Sequence, residues 1–119
     1  MIIDPTRIYE VQGQRYELQT ATLVAAVANN QSIIAAVSGY IHYLMGWKIY
    51  SLAGGATDID LKAGSGGTVL MNITLPAANK DDLPVIDSAY FKLATNQALV
   101  CDVNTTGVHL NIFYLTIKG

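Results

Sequence analysis

The sequence predicts an all-β protein, an antiparallel β-sandwich or jelly-roll-like fold with an N-terminal arm. Three observations carry this reading. Apolar and polar residues alternate with period two through most of residues 40–117. Turn-forming residues recur at intervals of roughly 8–12 residues. No segment combines a clear 3.6-residue apolar period with helix caps. The chain has 119 residues, 51% of them apolar and only 13% charged, where about 25% charged is usual. The length corresponds to one domain, and the composition to a packed core rather than disorder. Seven Lys and Arg against nine Asp and Glu leave a net charge of −2. Such a weak field does not attract nucleic acid or an anionic membrane, so neither is expected as a partner.

From the N-terminus, Met1–Pro5 lack a basic run followed by an apolar stretch and do not read as a signal peptide. Arg7–Val11 and Arg15–Leu18 flank Gln12-Gly13-Gln14, which sets residues 1–20 apart as an arm or small hairpin ahead of a sandwich domain at residues 21–119. No charge interrupts Leu18–Trp47, but Asn29-Asn30-Gln31-Ser32 divides its apolar pieces, Leu23–Ala28 and Ile33–Val37. Each piece is far shorter than the roughly 20 residues of a spanning helix. Two buried strands joined by a polar turn are expected instead, with Ala21–Ala28 also compatible with one short helix.

Ile41, Tyr43, Met45, Trp47 and Ile49 alternate with His42, Gly46 and Lys48, which predicts one long strand with its odd positions on one face. Thr57–Ala63 directs Ile59 and Leu61 one way and Asp58, Asp60 and Lys62 the other. Between them, Ala53-Gly54-Gly55-Ala56 reads as a hairpin turn whose glycines supply positive φ. Gly64-Ser65-Gly66-Gly67 reads as a second turn, into Thr68–Leu75, so these three strands are expected to form a meander. Pro76–Asp87 reads as the main irregular loop. Strands resume at Ala89–Leu93, Ala98–Val103 and Val108–Ile117, the last two joined by the turn Asn104-Thr105-Thr106-Gly107. Both faces of Val108–Ile117 are apolar, so cover on both sides is expected.

Few side chains can carry chemistry. His42 and His109 are the only histidines, and neither sits in a motif. Cys101, the one cysteine, falls at period two between Leu99 and Val103 and reads as a small buried hydrophobe rather than a nucleophile paired with His109 across the last turn. Asp58, Asp60, Asp81, Asp82 and Asp87 offer oxygen ligands, but without calcium-loop spacing they read as solvated acids. Gly64–Gly67 lacks the lysine and helix of a phosphate loop. No nucleophile, base and orienting group come together, so neither enzymatic activity nor a cofactor is expected.

Tyrosine is enriched at interfaces, and Tyr40 and Tyr50 share the polar face of their strand with His42 and Lys48. The Tyr40, His42 and Tyr50 face is therefore the candidate partner surface. The chain is also short of polar cover: Ala21–Val37 and Val108–Ile117 are most simply explained if subunits or a large partner bury them. A large core alone is the plainer alternative.

Ile34-Ala35-Ala36-Val37-Ser38-Gly39 leads into the strand Ile41–Leu52, followed by Ala53-Gly54-Gly55-Ala56-Thr57-Asp58-Ile59-Asp60-Leu61-Lys62. Leu75-Pro76-Ala77-Ala78-Asn79 with Leu83-Pro84, and then Phe91–Leu99, precede a terminal hairpin. Over about the last 85 residues this order of strands and turns resembles the small tailed-phage virion β-proteins of the cement, decoration or head-fibre class. The resemblance implies a non-enzymatic β-sandwich, trimeric or placed at capsid threefold positions, with the major capsid protein as partner and the virion surface as its location after synthesis in the host cytoplasm. Met1–Asn30 is longer than in typical members. Ile2, Ile3 and Ile8 then suggest that Met1–Val11 supplies docking contacts. The expected function is capsid cement or decoration. The alternative is a receptor- or carbohydrate-binding module of a head or tail fibre, using loop Pro76–Asp87 or the Tyr40/His42/Tyr50 face.

Overall fold

The computed structural model describes residues 8–11, 13–86 and 88–119. Among the described residues there is no helix, and every strand pairing is antiparallel. Strands β1 (Ile8–Val11) and β2 (Gln14–Glu17) form a hairpin. One sheet runs in the order β3 (Gln19–Ala25), β11 (Val108–Lys118), β5 (Tyr40–Ser51) and β8 (Lys80–Leu83), with β9 (Phe91–Lys92) also paired to β5. The second sheet is β4 (Ala28–Ile34), β10 (Leu99–Val103), β6 (Thr57–Ala63) and β7 (Thr68–Leu75). The chain passes between the sheets at nearly every connection, giving a β-sandwich with jelly-roll-like winding.

Trp47, Ile49, Leu110 and Ile112 of one sheet and Ile59, Leu61, Leu99 and Cys101 of the other are almost wholly inaccessible and form the core. Each side chain of this size contributes about 1.5–3 kcal/mol on burial. A second apolar cluster lies on the outer side of the first sheet, where Met45, Leu115 and Ile117 are covered by Tyr9, Val11, Tyr16 and Leu18 of the hairpin and by Val85 and Ala89. The second half of β11, Phe113 to Ile117, is thus covered on both faces, as expected, whereas His109 and Asn111 in its first half lie on an outer face that the hairpin leaves open. Strands β1 and β2 of the arm pack back on the chain's own sheet through Tyr9, Val11 and Tyr16, Ile8 stays exposed, and Ile2 and Ile3 lie outside the described residues.

Several expectations are corrected. Asn29–Ser32 is not a turn but part of β4, and the turn is Ala26-Val27. The Gln31 amide closes it: Nε2 donates to the carbonyls of Ala26 (2.7 Å) and Ala28 (3.1 Å), and Oε1 accepts from the Ala26 amide (2.8 Å). Both flanking strands are outer strands rather than buried ones, which is why polar residues are tolerated there. The meander and the terminal hairpin do not form, because β5 and β6 lie in different sheets, as do β10 and β11. Gly54 and Gly55 have no positive φ. Their segment spans the two layers, and a 2.7 Å bond between Ser51 Oγ and Thr57 Oγ1 ties the corner. Alternation shows which side of a strand is apolar but not which strand lies beside it. Gly64 and Gly66, with φ of +80° and +66°, do form the β6–β7 hairpin. The segment read as the irregular loop Pro76–Asp87 contains β8, paired with β5.

Strand β5 holds the correction that matters most for function. Leu44 pairs with Tyr114 and Gly46 with Phe113, leaving Met45 as an extra residue. A one-residue bulge reverses the side chains beyond it. His42 and Leu44 therefore face the interior before the bulge, and Trp47 and Ile49 after it, while Tyr43 and Met45 point under the hairpin. Gly46 is required here, since a Cβ would lie 2.6 Å from the Leu83 carbonyl oxygen.

Candidate interaction surface

The bulge separates the residues assigned to one partner face. Tyr40 and His42 project to the inner side of the sheet and Tyr50, beyond Met45, to the outer side. Tyr40 and Tyr50 are exposed, but His42 is 2% accessible. Its Nε2 lies 2.8 Å from the Ala35 carbonyl, which can only accept, so Nε2 carries a proton, and in the neutral ring Nδ1 accepts from the Thr116 hydroxyl at 2.8 Å. His42 pins the connection after β4 to the sheet and has no nitrogen free for a ligand.

The register instead sets His109 beside Tyr50, their rings stacked at 4.6 Å between centroids and 5° apart. Val24 flanks His109 on β3, and the next row carries Thr22, Asn111, Lys48 and Asp82. The N-terminal hairpin packs on the other half of this sheet, around Met45, Leu115 and Ile117. Residue spacing alone does not pair Tyr50 with His109, because the contact depends on β5 and β11 being neighbours.

Four connections meet at one end of the sandwich: Ala26-Val27, Leu52–Ala56, Pro76–Asn79 and Asn104–Gly107. Hydrogen bonds join Leu52 to Gly107 (2.9 Å), Ala78 to Ala53 (3.0 Å) and Ser51 to Asn79 (2.9 Å). Asn104 Oδ1 accepts from the Asp58 amide at 2.8 Å. None of the four segments contains Asp, Glu, Lys or Arg, and Leu52 (68%) and Val27 (58%) stand exposed on them. The absence of charge was legible in the sequence; the convergence was not.

The acids are occupied by neighbours. Asn72 Nδ2 donates to Asp58 Oδ1 at 2.8 Å and to Asp60 Oδ1 at 2.6 Å. Asp102 accepts from the Asn30 amide at 2.7 Å and pairs with Lys62 at 3.0 Å. The Asn30 hydrogen bond, opposed by burial and aided by Lys62, holds its carboxyl below the usual aspartate range. Lys62, expected on a solvent face, is buried, its ammonium shared between Asp102 and Asn30 Oδ1. Asp81 accepts from the Trp47 indole, and Asp87 lies outside the described residues. Among the described residues no group of three His, Cys, Asp or Glu is placed to hold a metal ion. Cys101 lies in the core, its thiol pushed up to about 11 by burial and then by Asp102. His109 belongs to the other sheet and faces outward, so the two do not meet.

Among the described residues no helix is long and apolar enough to cross a membrane. No protein-family model matches the chain, and no curated protein matches it significantly.

Proposed function

We propose that this chain is a non-enzymatic structural subunit of a viral particle, a capsid cement or decoration protein that bridges neighbouring capsid subunits. The observation that supports the reading best is the uncharged loop end, where Leu52 and Val27 are presented to solvent by four connections bonded to one another or set together by strand pairing. Jelly-roll-like sandwiches serve as viral shell domains and as lectins, so the winding fits this role without selecting it. Apolar surface covered at such a contact contributes about 25 cal/mol per Å² before association costs, and equivalent copies add across a shell. The test is co-sedimentation of the purified chain with shells of the major capsid protein it accompanies. Leu52→Asp and Val27→Asp should abolish co-sedimentation while Trp47 emission stays native. Binding that survives both changes overturns this docking end.

The second reading, a carbohydrate-binding module, is favoured by the stacked Tyr50 and His109 beside Lys48 and Asn111. Aromatic rings next to hydrogen-bonding groups suit sugar faces. Glycan-array binding lost in Tyr50→Ala would support it; no glycan binding by the native chain would reject it.

A further inference from the structure

An outer strand carries unpaired backbone N–H and C=O groups, and proteins normally guard such edges with charges, prolines or bulges. Among the described residues the outer strands of the two sheets are β3, β4, β7 and β8, with β9 on the β8 side of β5. Strand β8 is short and carries Lys80, Asp81 and Asp82, with the charged Lys92 of β9 on the same side of β5. Strand β4 pairs with β10 through two register shifts, and Asn30 within it has φ of +55°. Strand β7 is bulged against β6, where Leu61 pairs with Met71 but Lys62 with Val69. Strand β3 has none of these devices. Its residues, Gln19-Thr20-Ala21-Thr22-Leu23-Val24-Ala25, include no charge and no proline, and they pair with β11 in unbroken register from Gln19↔Tyr114 to Ala25↔Val108.

We propose that β3 is a self-association edge, joined antiparallel to β3 of a second copy about a two-fold axis at Thr22. This register is self-complementary. It sets Thr22 opposite Thr22, Ala21 opposite Leu23, Thr20 opposite Val24 and Gln19 opposite Ala25, with small residues against large and no charge facing another. Ala21 and Leu23, which are half-buried at the open side of the core, meet their counterparts there, and the two sheets become one continuous sheet. A seven-residue strand is about 24 Å long at about 3.4 Å per residue. With β4 beneath it, two sheets stacked about 10 Å apart together with their outer side chains give an edge that covers roughly 1,000 Å² in total, the threshold for a specific interface. A second copy is the occupant that needs no further chemistry, since an uncharged edge gains nothing from a charged partner strand.

The inference does not depend on which particle the chain serves. Loss of capsid binding with self-association intact counts against the proposed function alone. Sedimentation equilibrium of the full chain at micromolar concentration should show a dimer. Thr22→Lys sets two ammonium groups face to face and should weaken self-association at least about tenfold, as should Thr22→Glu. An equimolar mixture of the two variants should recover a heterodimer, because each lysine then meets a glutamate. Val69→Lys, an exposed change on β7, should leave the dimer intact, and Trp47 emission reports that each variant is folded. A native chain that sediments as a monomer or trimer overturns the inference. So does a dimer indifferent to Thr22→Lys, or one that the mixture fails to restore.

Discussion

The indole Nε1 of Trp47 donates to Asp81 Oδ2 at 2.8 Å, tying a core side chain to the charged outer strand β8. Trp47 is 1% accessible. In Asp81→Ala its N–H loses this acceptor, at an expected cost of about 1–3 kcal/mol. Urea unfolding followed by the emission of Trp47, the only tryptophan, measures this directly. A loss well below that range would mean that water replaces the carboxylate at no cost.

Gly46 admits the Leu83 carbonyl where β8 meets the bulge. Gly46→Ala must displace backbone rather than a flexible side-chain end, and overpacking of this kind costs about 1–3 kcal/mol. The same unfolding assay should show the loss, with hydrogen exchange rising first in Lys80–Leu83.

Asp102 sets part of the acid sensitivity. Its folded pKa lies below its unfolded value, held there by the Asn30 amide and Lys62. Its contribution is therefore complete above the usual aspartate range and is lost as pH falls through the lowered folded value. Asp102→Asn should reduce stability at neutral pH and flatten the acid limb of the stability-against-pH curve. An unchanged acid limb would reject the assignment.

The Cys101 thiol is buried and its pKa is raised to about 11. A thiol-specific reagent at pH 8 should fail to label the folded protein and should label it promptly in urea. Reaction with the folded chain at the rate seen in urea would show that the core opens locally at β10.

Much of the fold was legible because alternation records which side of a strand is dry. Ile59 and Leu61, Leu99 and Cys101, and Leu110 and Ile112 all face the core where period two places them. The uncharged connections were legible for the same local reason. Strand β5 defeated the rule: its first half is covered on the outer face by the hairpin and its second half on the inner face by the core, so apolar residues at 41, 43, 45, 47 and 49 read as one face while Met45 bulges and turns the first half outward. Nothing local marks that bulge, because Gly46 is required only by the Leu83 carbonyl arriving from 37 positions further along the chain.

The sequence by itself determined the all-β class, the burial of Cys101 and the shortage of charge, since each follows from residue type and period-two spacing. Only the tertiary structure decided that β5 leaves β6 for β11, that Tyr50 meets His109 instead of His42, and that β3 is the outer strand with neither charge nor bulge. Strand neighbours are chosen by how two twisted sheets close over one core, and that choice rests on contacts between residues far apart in the chain.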